Sequence, residues 1–291
     1  MRRMMAMVMV MVSLLTGTAA SAADWESRLP AATSEQVRAS AREAVRAGVN
    51  PEEVVALTAR MQENRFGERL TVRAHEIVAA ARQERLPVDA IVNKAYEGIA
   101  KHVTAERTVQ AMETVHSRYA SAFQAARTIA TEERQQQALG RTIAEGLAAG
   151  IRERDMARIT ESLQQQSRQL GREERNELAV QSVQTGREMA RLGVSSLAVA
   201  DVVCQALQHQ FTAREMAQMR NAFTAQARYG KAESLAQQYG AQIGSGARAG
   251  GLGASGGGAH GGGGPGSGGS GSGGGSGGGS GSGGGGGGGG R

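Results

Sequence analysis

The stretch Ala47-Gly48-Val49-Asn50-Pro51-Glu52-Glu53 holds a helix stop and a helix start within seven residues. Glycine can take the left-handed conformation that closes a helix, and the valine after it can fold back on the last turn. Asparagine then caps the next helix, proline suits its first position, and Glu53 is placed to complete a capping box. A junction of this kind belongs to a chain of short helices that reverse direction at tight turns.

Working outward, related punctuation recurs at Leu86-Pro87, His102-Val103-Thr104, Gly150-Ile151, Gly193-Val194-Ser195 and Gln210-Phe211-Thr212. With the apolar turn residue as marker, positions 49, 86 and 103 are followed by 151, 194 and 211. The last interval is 17 in both sets, while the first is 37 in one and 43 in the other. Two copies of one helical unit, the second with about six extra residues, produce that spacing. Aligning Val103 with Phe211 sets Ile91 on Val199, Ala95 on Val203 and Ile99 on Leu207. Aligning Val49 with Ile151 sets Glu43 on Glu145, Gly48 on Gly150 and Thr58 on Thr160. The stretches EGIAKHVTAER (Glu97–Arg107) and EGLAAGIRERD (Glu145–Asp155) each repeat a helix that leads into a turn, so the helix-turn-helix element is used twice within each half. In this register Gly98 is a mid-helix position where alanine serves as well or better.

Between Ala32 and about Gly240 the apolar residues recur at three and four, as in Val109, Met112, Tyr119, Ala122, Ala126 and Ile129, and alternating β-branched runs are missing. The expected fold is all-α. Duplicated helix-turn-helix units would form an α-solenoid-like array or two small helical bundles, with halves at residues 24–130 and 131–243. From Gly244 to Arg291 the composition collapses to glycine and serine, which predicts a disordered tail over 244–291. At the other end, two arginines, an apolar run from Met4 to Leu15 and the small residues Ala20-Ser21-Ala22 read as a cleaved signal peptide over 1–22. The expected location is therefore periplasmic or secreted. No later stretch is long and apolar enough to span a bilayer.

The formal charge of +6 and pI near 10.1 invite a nucleic-acid reading until the charges are placed. Arg2 and Arg3 lie in the signal, and Arg248 and Arg291 in the glycine-rich end. Setting those four aside from the 33 Lys+Arg leaves 29 against 27 acidic residues. That region is close to neutral, carries few aromatics to stack bases, and lacks the footprint of a nucleic-acid binder.

Candidate chemistry is sparse. His75-Glu76 opens like a zinc-protease motif, but Ala79 stands where the second histidine is needed. His75, His102, His116, His209 and His260 are scattered and read as solvated helix residues rather than metal ligands. Cys204, the one cysteine, falls on an apolar spacing and reads as a small buried hydrophobe. The sequence offers no catalytic set, metal site or cofactor motif. One polar strip stands out: Asn93, Glu97 and Lys101 share a helix face with Lys94 at its edge, where the second copy has Asp201, Gln205, His209 and Val202. The strip is the candidate binding site, against the plainer reading of ion pairs at three and four residues.

The segment LPVDAIVNKAYEGIAK (residues 86–101) resembles one found in uncharacterised exported helical proteins of Gram-negative bacteria: Leu-Pro, an apolar stretch, Asn-Lys-Ala, Glu-Gly and Ala-Lys. The resemblance implies an exported helical protein and carries no activity with it. The functional expectation is a non-enzymatic helical-repeat module that binds an unidentified protein or cell-envelope component. The alternatives are an enzyme of unrecognised type with a site between the halves, and an amphipathic protein lying on the envelope surface.

Overall fold

A computed structural model describes residues 25–253, which lie within one compact unit. The expected signal peptide over 1–22 and the segment from Ala254 to Arg291 fall outside the described residues.

Eleven α-helices and no strand are found among the described residues, so the chain is an all-α helical array. In chain order they are α1 (Glu35–Arg46), α2 (Pro51–Glu63), α3 (Glu68–Gln83), α4 (Val88–Ala100), α5 (Ala105–Ile129) and α6 (Glu133–Ala148). Then follow α7 (Glu153–Gln166), α8 (Arg172–Arg191), α9 (Ser196–Gln208), α10 (Ala213–Ala227) and α11 (Ala232–Gly244). The short turns make successive helices run in opposite directions, and this sorts them into two rows. Odd-numbered helices pack in series from α1 to α11, and even-numbered ones pack as α2 on α4 and as α6 on α8 on α10. The long helix α5 packs on both α4 and α6 and joins the two stretches of the even row.

One turn geometry is used eight times. The residue after the helix end is left-handed at Gly48, Arg65, Arg85, His102, Gly150, Gly193, Gln210 and Gly246. The N–H of each following residue reaches a carbonyl five residues back, as in Val49 to Ala44 at 3.1 Å, Phe66 to Met61 at 2.9 Å and Ile151 to Gly146 at 3.2 Å. These are Schellman closures, which satisfy carbonyls that the helix end leaves without partners. The glycines sit at φ 90–110°, whereas Arg65, Arg85, His102 and Gln210 sit at 54–60°. The narrower value is the left-handed minimum of an L-residue, and only glycine reaches the wider one without strain. Val49, Leu86, Ile151, Val194 and Phe211 are buried as the markers predict, but Val103 is 38% exposed. The turn Arg65-Phe66 belongs to the same set and has an arginine, not a glycine, at its left-handed position. Asn50 caps α2 through the N–H of Glu52 at 3.0 Å, but Glu53 closes no capping box; that device forms at Thr212 and Glu215.

Gly98 corrects an expectation. An added Cβ there would lie 2.6 Å from Thr108 Oγ1 and 2.7 Å from its Cγ2, so α4 meets α5 at van der Waals distance only because the side chain is missing. Gly140 seats the Phe123 ring in the same manner, with ring carbons at 2.5 and 2.6 Å from where a Cβ would stand. Gly146 plays this part against Met156 at 2.9 Å. The recurring Glu-Gly therefore encodes a close helix approach ten residues before its contact partner, in addition to the turn that follows.

The apolar interior forms two clusters that meet on α5. One runs from Trp25 to Phe123, the other from Ala122 to Leu252. Each end of the array is closed by a short 3-10 turn. At the start, Trp25 and Leu29 are buried and the turn Trp25–Arg28 packs on α2. At the finish, Ala249 and Leu252 are buried and the turn Ala249–Gly251 packs on α10. Arg248 stacks 4.8 Å above the Phe211 ring, pairs with Glu215 at 2.6 Å and donates to the carbonyl of His209 at 2.6 Å. The expected coil from Gly244 onward is thus corrected for residues 244–253. Two small apolar side chains and one arginine suffice to dock a glycine-rich segment that composition alone assigns to the tail. Repeat arrays need such polar-faced ends to hide the interior of the last helices from water.

Candidate functional site

The strip singled out in the sequence lies on the surface of α4. Asn93, Glu97 and Lys101 are exposed and Lys94 is partly covered. Lys94 Nζ lies 2.8 Å and Lys101 Nζ 2.6 Å from the Glu97 carboxylate, three and four residues along one helix. The hydrogen bonds from Lys101 and then Lys94 hold Glu97 well below the usual carboxylate range, at about 2. Asn93 makes no contact with the other three that the structure records as a hydrogen bond. The arrangement is a solvated ion-pair ladder, and such pairs contribute little.

His75 is not a solvated histidine. It is fully buried, with Nδ1 2.8 Å from Ser40 Oγ and Nε2 2.9 Å from Thr58 Oγ1. A neutral ring meets both partners when Nε2–H donates to Thr58, whose own proton goes to the Val54 carbonyl at 2.7 Å, and Nδ1 accepts from Ser40, whose single proton then turns away from the Val37 carbonyl 2.9 Å off. Burial pushes its pKa down to about 4. In the matching turn register the second half has Val183, also buried. Asp155 is another buried ionisable group that sequence reading passed over. Its carboxylate accepts from Ser196 Oγ at 2.6 Å, which holds it below its ordinary range, while Ser196 in turn accepts from the N–H of Arg152 at 2.8 Å. This staples the first turn of α7 to that of α9. Ser195 and Glu233 do the same for α9 and α11. Cys204 is buried as read from its spacing, and burial pushes its thiol up, away from reactivity.

A concave surface forms elsewhere, in the furrow between the parallel helices α5 and α7. Two adjoining openings of about 750 and 380 Å³ share Leu147 and Glu153. The α5 wall of these openings includes Gln110, Thr114, Ser117, Ser121, Gln124 and Thr128. Their spacing of four, three, four, three, four places them in one straight stripe, about 27 Å long at 1.5 Å per residue. Every side chain in the stripe is uncharged and offers both a donor and an acceptor. The floor is formed by Ile143, Ile151 and Met156, which are buried, and the partly exposed Leu147, while Glu113, Arg118, Arg152 and Glu153 also line the larger opening. Hydrogen bonds cross the furrow from Ser121 to Glu153 at 3.1 Å and from Gln164 to Thr128 at 2.6 Å. On the α3 side of α5 a further opening of about 580 Å³ shares Gln110 and Glu113 and is charged as well, with Arg73 bridging Glu76 and Glu113.

Among the described residues no group of three or more His, Cys, Asp or Glu is placed to hold a metal ion. No described helix is long and apolar enough to cross a membrane. Comparison with protein-family models, with curated proteins and with solved structures found no match for the chain.

Proposed function

We propose that the chain is a non-enzymatic helical-repeat module, exported to the periplasm or beyond, that binds a protein or envelope partner in the furrow between α5 and α7. The observation that carries this reading is the furrow itself. It sets a stripe of hydrogen-bonding side chains beside the charged Glu113, Arg118, Arg152 and Glu153 in one concave surface, a composition that suits polar recognition. Repeat packing supplies such a furrow between neighbouring helices of one row without any reactive group. The strip on α4 lends no support to an enzyme, because Lys94 and Lys101 both pair with Glu97 on an open surface. The ion pair from Arg141 of α6 to Asp89 of α4 at 3.1 Å belongs to the same class of surface contact.

Affinity capture from an envelope extract tests the reading. The full chain retains a partner, Ser117→Arg loses it, and Asn93→Arg on the other row keeps it. Equal retention by the wild type and Ser117→Arg would show that the furrow is not the binding surface.

A further inference from the structure

We infer that one edge of the array, made by the turns that lead from even- to odd-numbered helices, is a docking surface for an anionic lipid bilayer. Because successive helices reverse direction, these five turns lie on one edge and the turns from odd- to even-numbered helices on the other. The two edges differ in charge. Residues 64–67, 101–104, 149–152, 192–195 and 228–231 carry Arg65, Lys101, Arg152, Arg228 and Lys231 and no acidic residue. The opposite connections, at residues 47–50, 84–87, 130–132, 167–171 and 209–212, balance Arg85 and Arg168 with Glu84 and Glu132. Lys101 pairs with Glu97 at 2.6 Å; the other four basic side chains are exposed and have no acidic partner among the described residues. The edges differ in apolar exposure too. Among the described residues the exposed large apolar side chains are Val103, Leu192, Leu197 and Tyr229. Three lie in the basic-edge turns and Leu197 two residues past one of them, with Leu197 53% and Tyr229 92% exposed.

The first turns of the odd-numbered helices bring acids close to this edge without cancelling its excess. Glu68, Glu106 and Glu153 are each followed directly by an arginine, and Glu233 and the buried Asp155 accept hydrogen bonds from Ser195 and Ser196. With the first three residues of those helices included, eight basic residues face five acidic ones. A positive excess selects a negatively charged surface, and the apolar side chains select which kind. A soluble polyanion leaves Leu197 and Tyr229 in water. The headgroup boundary of a bilayer takes them in and leaves Arg228 and Lys231 among the phosphates. Tyrosine suits that boundary, with an apolar ring and a polar hydroxyl. Since α8 packs on α10 and α9 on α11, the turns that hold Leu192 and Tyr229 are neighbours and can enter together. Arg152 lies both on this edge and in the furrow, but contact with lipid does not depend on a partner held there.

Tryptophan quenching by brominated lipid tests the contact and its orientation. The chain's one tryptophan, Trp25, is buried, so in the full chain Tyr229→Trp and Leu197→Trp report on this edge and Arg168→Trp on the opposite one. Vesicles of brominated phosphatidylcholine mixed with phosphatidylglycerol are expected to quench the first two beyond the parent chain, and not the third. Without phosphatidylglycerol the quenching disappears. Arg228→Gln combined with Lys231→Gln lowers the partition onto the mixed vesicles about 25-fold, roughly fivefold for each charge removed. Arg85→Gln combined with Arg168→Gln makes the same change in net charge on the opposite edge and leaves the partition within about twofold. Equal quenching at positions 229 and 168 overturns the inference, because the protein then adheres through another segment or in no fixed orientation. Equal loss of partition for the two charge pairs overturns it as well, since bulk charge then explains the binding. Retention on heparin with no quenching by the vesicles makes the edge a site for soluble polyanions and overturns the assignment to lipid.

Discussion

Lowering the pH from 7 to 5 removes about 2 kcal/mol of stability through His75 alone. The ring is fully buried and its pKa lies at about 4, against 6.5 in the unfolded chain. Because the fold favours the neutral form, the stability it contributes is fully present above pH 6.5. It is lost as the unfolded chain takes up a proton that the folded chain refuses until about pH 4. Each pH unit below 6.5 costs about 1.36 kcal/mol, so the 1.5 units to pH 5 give about 2 kcal/mol. The carboxylates contribute little in this window. Glu97 is held far below it, and Glu53, pushed up by burial, protonates more readily in the fold and acts in the opposite direction. The assay is urea denaturation at pH 7 and pH 5 for the wild type and for His75→Gln, which keeps a donor and an acceptor between Ser40 and Thr58 but cannot titrate. The expected result is a pH-dependent loss in the wild type that exceeds the loss in the variant by about 2 kcal/mol. An equal loss in both would show that His75 is solvated or already charged in the fold.

The helical glycines that seat neighbouring side chains should reject a methyl group: Gly98→Ala and Gly140→Ala each lower the urea midpoint, at a cost of about 1–3 kcal/mol from overpacking against Thr108 and Phe123. At the turns the effects run in opposite directions. Gly48→Ala destabilises by about 1 kcal/mol because φ is 95° there, whereas His102→Gly stabilises by a similar amount because it relieves a left-handed L-residue. Truncation after Gly244 lowers Tm by roughly 5–10 °C, from the loss of the buried Leu252 and the Arg248 contacts, worth about 3 kcal/mol together. Truncation after Gly253 is the control that isolates this docked segment.

The all-α class was legible because helix stops and starts are written in local chemistry. Gly48, Gly150 and Gly193 mark their turns, and the apolar residue after each is buried. The turn at Arg65-Phe66 was invisible, since an arginine in the left-handed region looks like any other surface arginine. What sequence could not reveal was which neighbour each residue meets. Gly98 reads as a weak helix position until Thr108 is found against it, and His75 reads as solvated until Ser40 and Thr58 enclose it. Ala249 and Leu252 were hidden by their glycine neighbours. The uncharged stripe on α5 is visible as a spacing, but a solvated helix face has the same spacing. Only the packing of α7 beside it turns the stripe into the wall of a furrow.

The central claim is that this furrow is where a partner binds, and amide hydrogen exchange on the purified complex addresses it most directly. Compared with the free chain, the complex should show added protection over residues 110–128 of α5 and 147–157, from the end of α6 through the turn into α7, with residues 91–101 at and just beyond α4 unchanged. Added protection confined to the α4 segment, where Asn93, Lys94, Glu97 and Lys101 lie, would contradict the account and return the strip as the binding surface.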